Sequence, residues 1–194
     1  MAETTPTPPS EETPSQEEAS SNEGAAPARP ARQPAPEPIG LDPRGEALKA
    51  LLPGPLEPCE PEIDTALDEV VVTVPSERLL DACATLRADP SLSFDYLRCL
   101  SVVDYEDRFQ VVYHLWSREH RHKLVLKVDT TVESPSVPSV TGVWRGADWF
   151  EREGHDLFGV EFPGHPDPRV LILYEDFEGF PGRKSFPFHD YQEW

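Results

Sequence analysis

Three apolar runs in close succession, CLSVVDY, RFQVVYHLWS and KLVLKVD, constrain this chain more than any other feature. Only Glu106 and Asp107 part the first pair, and the charged link REHRH parts the second. Links this short join antiparallel neighbours, because a parallel return needs a crossover of roughly a dozen residues or more. The runs therefore predict an antiparallel meander. Upstream, LDEVVVTV is β-branched and stops at Pro75, as a buried strand does. Leu79, Leu80, Cys83 and Leu86 then recur at helical spacing behind Ser76, a candidate cap, until Asp89-Pro90 ends the run. A strand and a helix packed on a meander make an α+β fold: a small two-layer domain with a mixed or antiparallel sheet.

The flanks differ in character. Up to Gly40 there are nine prolines, seven glutamates and two arginines, too little apolar area to offset the entropy of ordering. With further prolines at 43, 53, 55, 58 and 61, residues 1–60 read as a disordered acidic tail and linker, with one short helix near GEALKALL. Residues 61–158 are the α+β core, closing on a predicted helix from Gly146 to Phe158 that carries Ala147, Phe150 and Leu157 on one face and ends at Gly159. Residues 159–194 read as an extended arm, broken by Gly and Pro yet holding eight of the 18 aromatics. At about 2 kcal/mol each, leaving most of those rings in water forgoes on the order of 10 kcal/mol. The domain's own sheet or another protein must cover them, and the interleaved Arg169, Arg183 and Lys184 favour a protein partner.

Charge and cysteines narrow the function. A formal net charge of -19 opposes nucleic acid and anionic lipid surfaces. No run approaches the roughly 20 apolar residues of a membrane span, and MAETTPTPPS lacks the features of a signal peptide, so a cytoplasmic chain is expected. Cys59, Cys83 and Cys99 form no C-x-x-C pair and read as idle thiols.

Chemistry concentrates in WFEREGHDLFGVEFPGHPDPRVL, from Trp149 to Leu171. On the predicted helix Glu151 and His155 lie one turn apart, as do Arg152 and Asp156. Glu151, His155 and His165 offer three metal ligands for a stand-alone metallo-hydrolase, but Arg152 lies beside them and no H-E-x-x-H spacing appears. His120 and His122 form a second candidate pair, at a hairpin tip where Arg118, Arg121 and Lys123 oppose a cation. No P-loop, dinucleotide glycine pattern or G-x-S-x-G is present.

EREGHDLF, followed after six residues by His165 and after three more by Arg169 and then Leu171, closely resembles the signature of the thirty-kilodalton subunit of NADH:quinone oxidoreductase, respiratory complex I. FDYLRCLSVVDYEDRFQVVYHLWS, KLVLKV, PSVPSVTGVW and GFPGRKSFPFHDYQEW are similar to further blocks of that family, so the likeness runs from about Leu67 to Trp194. The resemblance implies a non-catalytic scaffold subunit with no metal, cofactor or catalytic residue of its own. FMN and iron–sulfur clusters would sit in partner subunits. It implies a hetero-oligomer with the large quinone-site subunit and other hydrophilic subunits, peripheral on the cytoplasmic side of the inner membrane, without insertion of its own. Glu151, Arg152, Glu153, Asp156, His165, Arg169, Arg183 and Lys184 would then be interface residues of a helix-and-loop clasp. The same module in a ferredoxin-dependent or hydrogenase-type relative is the alternative.

Overall fold

The computed structural model describes residues 40–187. The expected tail up to residue 39 and the rings of Phe188, Tyr191 and Trp194 lie outside them. In chain order the elements are α1 (Pro43–Leu51), α2 (Pro53–Leu56), β1 (Glu62–Ala66), β2 (Glu69–Thr73), α3 (Leu79–Ala88), β3 (Tyr96–Asp104), β4 (Arg108–Trp116), β5 (Lys123–Thr131) and α4 (Ala147–Phe158).

The meander is present. β3 pairs antiparallel with β4, and β4 with β5 over its whole length from Arg108↔Thr131 to Trp116↔Lys123. β2 then joins β5 in parallel, Val71 opposite Val125, and β1 pairs antiparallel with β2, giving a five-stranded mixed sheet in the order β1-β2-β5-β4-β3. Strand alternation sends Val70, Val72, Leu100, Phe109, Tyr113 and Leu126 into one continuous core with the helices. Val71, Val112 and Val125 form a small separate cluster on the opposite face. This is the α+β, two-layer domain that the strand pattern predicted.

Three expectations are corrected. The short helix expected near GEALKALL is α1, but the rest of residues 43–60 is not a disordered linker: Leu48, Leu52, Leu56 and Cys59 repeat at helical spacing and are buried in the core. Their prolines do not break these helices, because Pro43 and Pro53 occupy first-turn positions where the missing N–H has no intrahelical partner to lose, and Asp42 caps α1 through Gly45 N at 2.7 Å. Ser76 does not cap α3; it opens a 3₁₀ turn whose last residue, Arg78, precedes the helix, and Leu80 faces outward. On α4 Ala147 is buried and Phe150 packs partly buried against the core, as expected, but the other buried positions are Glu151, Gly154 and Asp156 rather than Leu157, so two carboxylates lie on the inward face.

α4 ends as predicted, with Gly159 at φ 71°. Gly154 has a different task. A Cβ there would lie 2.9 Å from Val102 Cγ2 on β3 and 3.4 Å from the Phe162 ring, so the helix sits too close to the sheet for a side chain. Gly154→Ala is expected to lower stability in urea unfolding by about 1–3 kcal/mol, overpacking outweighing the gain of up to about 1 kcal/mol in helix propensity. A more stable variant would contradict this packing.

Candidate functional site

Between β5 and α4, and again after α4, the chain runs through loops with almost no sheet. Segment 135–139 pairs alongside 161–163 through Val137 N to Glu161 O, Glu161 N to Pro135 O and Ser139 N to Pro163 O, all within 2.9 Å. Glu151 ties this short ladder to α4. Its carboxylate is fully enclosed and accepts from Ser139 Oγ at 2.6 Å and Val140 N at 2.7 Å. Burial pushes the Glu151 carboxyl above its ordinary value, opposed by those two hydrogen bonds and by nearby His165.

One turn and a half later, Asp156 does similar work for the arm. Its Oδ2 accepts from Leu171 N and Ile172 N, both at 2.8 Å. Between the two acids, Arg152 donates from Nε to Arg169 O at 2.7 Å and from a terminal nitrogen to Val170 O at 3.0 Å. Helix side chains thus stand in for a partner strand, which residues 169–172 lack among the described residues. His165, its side chain only 3% exposed, receives Asp167 N–H on Nδ1, which leaves Nε2–H to donate to Asp148 O at 3.1 Å. Arg169 pairs bidentately with Asp167 at 2.7 Å, and this holds the Asp167 carboxyl down at about 2.

The arm is fastened a second time near its end. Arg183 donates to Phe158 O at 2.7 Å and lies over the rings of Phe109 and Phe180, 5.0 and 4.6 Å from their centroids. Lys184 N donates to Asp104 Oδ2 at 2.9 Å, and its Nζ approaches Glu106. Val160 and Phe162 are buried in the core. The described part of the arm is therefore not an extension free of its own domain, as expected from its glycines and prolines, but a strap pinned to it at both ends.

Of the eight predicted interface residues, seven have partners within the chain, and only Glu153 has none among the described residues. Glu151 is the clearest correction: fully enclosed, it cannot meet a neighbour directly. Ser139 and Val140, which complete the clasp, escaped the sequence reading because nothing local marks a loop hydroxyl or amide as an acceptor's partner.

Of the metal candidates Glu151 and His165 come within 4.0 Å, but their polar atoms are directed to other partners. Glu151 is engaged with Ser139 and Val140, while His155 Nδ1 faces Val160 O at 3.1 Å. His120 stacks on His122 at 5.4 Å and binds Pro90 O, and burial with its neighbour His120 lowers the His122 pKa. No group of three or more potential ligands is arranged for a metal among the described residues. The cavity beside Glu151, His155 and His165 measures about 40 Å³, far below the roughly 300 Å³ at which small-molecule sites begin.

Against this geometry stand the comparisons. The family model for the respiratory-chain NADH dehydrogenase, 30 Kd subunit, matches residues 72–192. The chain belongs to this family. Its relatives include the second C subunit of NADH-quinone oxidoreductase in Rhizobium etli (strain CIAT 652), 42% identical over 135 residues that span 68% of this chain and 72% of that protein. The C subunit of NADH-quinone oxidoreductase in Roseiflexus sp. (strain RS-1) is 47% identical over 122 residues, 61% of this chain and 70% of that one. Among solved structures, the trypsin-resistant fragment (1-134) of Nqo5 is 30% identical with a TM-score of 0.54, covering 62% of this chain and 98% of the fragment. A polypeptide of the archaeal membrane-bound sulfane sulfur reductase, 23% identical, shares the fold at a TM-score of 0.63 over 73% of this chain and 86% of its own length. In EREGHDLF, the stretch that resembles the family's signature, the first Glu and the Asp are the two buried acids of the clasp, Glu151 and Asp156, and the Arg is Arg152.

Glu151→Ala strands Ser139 Oγ and Val140 N and is expected to lower stability by about 3 kcal/mol, with Glu151→Gln costing clearly less. Because burial raises the folded-state pKa above the ordinary 4.5, the unfolded chain releases this proton first. Wild-type stability relative to Glu151→Gln should therefore fall as pH climbs from 4.5 through the raised value. Urea unfolding across that range checks both; a relative gain with rising pH would contradict the assigned burial.

Proposed function

We propose that this chain is a non-catalytic scaffold subunit in the peripheral arm of a proton-translocating NADH:quinone oxidoreductase. Electrons pass there from NADH through FMN and iron–sulfur centres of partner subunits to quinone, and this chain shapes and joins the subunits without carrying a redox group. It sits on the cytoplasmic side of the inner membrane, held by the large quinone-site subunit and other hydrophilic subunits. No described helix is long and apolar enough to cross a membrane, in keeping with attachment through neighbours.

One observation carries this reading: three of the four charges in EREGHDLF are engaged in holding backbone. Glu151, Arg152 and Asp156 bind main-chain groups of the loops they organise, whereas general acid–base work needs titratable groups facing a substrate. The names of the relatives supply the complex. A second reading, the same module in a ferredoxin-dependent or hydrogenase-type assembly, draws on the fold shared with the sulfane sulfur reductase polypeptide. The relatives at 42% and 47% identity favour the first.

Purification of the intact assembly through a tag on this chain should recover the other hydrophilic subunits, with iron and flavin in them and none in the chain alone. Trypsin distinguishes the free from the assembled chain. Arg169 has an 80% exposed side chain and lies where the strap begins, and the related Nqo5 yields a trypsin-resistant fragment. Cleavage after Arg169 is expected to be faster in the free chain than in the assembly. NADH oxidation or bound iron in the purified chain, or equal cleavage in both states, would count against the scaffold role.

A further inference from the structure

Trp149, Arg152 and Asp156 lie on one stripe of α4, spaced three and four residues apart. The strap follows that stripe, since Arg152 holds the carbonyls of Arg169 and Val170 while Asp156 holds the amides of Leu171 and Ile172. Side chains alternate along it. Leu171 and Leu173 are half-buried, while Val170, Ile172 and Tyr174 are 42%, 51% and 68% exposed and Trp149 is 68% exposed. Tyr174 meets the Phe177 ring edge-on at 5.3 Å, and Phe177 stacks on Phe186 at 6.1 Å, which braces the outer end of the row.

Acids flank this row. Glu175, Asp176 and Glu178 are exposed, and neither they nor Glu153 pairs with a cation among the described residues. Neighbouring acids behave otherwise: Asp167 is neutralised by Arg169, and Glu106 by Lys184. An apolar, partly aromatic row beside uncompensated carboxylates has the anatomy of an interface core with a polar rim.

We propose that the ridge formed by Trp149, Val170, Ile172 and Tyr174 docks into an apolar groove of a partner protein, and that lysines and arginines rim this groove opposite Glu153, Glu175, Asp176 and Glu178. The inference rests on the scaffold reading above and names the partner surface that reading leaves open. A second copy of this chain brings the same acids on a molecule of net charge -19, and an anionic lipid surface is repelled in the same way. A basic heterologous protein surface satisfies both the apolar row and its rim.

The test uses the full chain, tagged, expressed in cells in place of the native subunit. Companion subunits retained by wild type are compared with those retained by Glu175→Lys/Asp176→Lys/Glu178→Lys and by Ile172→Ala/Tyr174→Ala, at low and high salt. These side chains are exposed, so both variants should melt like the wild type. Charge reversal is expected to reduce retention at low salt by about tenfold or more, with the gap to wild type narrowing at high salt as screening removes the attraction. The apolar variant should lose companions at both salt concentrations. Wild type retaining companions while the reversed variant retains them equally at low salt would overturn the basic groove and leave the scaffold reading standing. Wild type retaining none would overturn both. A dimer of the purified chain that Ile172→Ala/Tyr174→Ala abolishes would overturn the proposal in favour of a second copy.

Discussion

Backbone amides that lack a strand to pair with set the terms for the C-terminal third of this protein. From Gly159 to Pro187 there is only one isolated β-bridge among the described residues, yet part of this stretch lies against the domain. A buried amide without an acceptor costs about 1–3 kcal/mol. α4 supplies the acceptors: Glu151 takes Val140 N, and Asp156 takes Leu171 and Ile172 N. A helix burying two carboxylates and a glycine is poorly suited to a greasy core and well suited to organising loops.

That division of labour explains the remainder of the site. Carboxylates receive amides, Arg152 receives the carbonyls between them, and the rings of Phe109 and Phe180 receive Arg183. Fixing the strap at both ends leaves the stretch from Tyr174 to Glu178 between the two fastenings, with acids that pair with no cation among the described residues. The internal bonds give the ridge a defined shape before any partner arrives, which reduces the ordering cost of association.

Much of the fold was legible because its signals are local. The meander follows from short links, α3 from helical spacing ended by Asp89-Pro90, and the end of α4 from Gly159. β1 was missed because EIDTA is a charged edge strand with no apolar run. The parallel β2–β5 pairing joins residues more than fifty positions apart and leaves no local mark. α1 is the short helix expected near GEALKALL, whereas α2 was obscured by prolines that look like breakers but sit at helix starts, although Leu48, Leu52 and Leu56 already repeated every four residues. At the site, the sequence marked Glu151, Arg152 and Asp156, whose side chains hold loop backbone. Spacing on a helix cannot tell whether a carboxylate faces a neighbour or its own loop, so Glu151 was expected at an interface and is enclosed.

Hydrogen exchange of single amides in the full chain tests most directly whether side chains of α4 substitute for a missing strand. The amides of Val140, Leu171 and Ile172 should exchange slowly, as sheet amides do, while that of Asp176 exchanges at the rate of an unstructured peptide. Exchange of all four at that unstructured rate would show that the carboxylates do not hold these loops, and the account would fail.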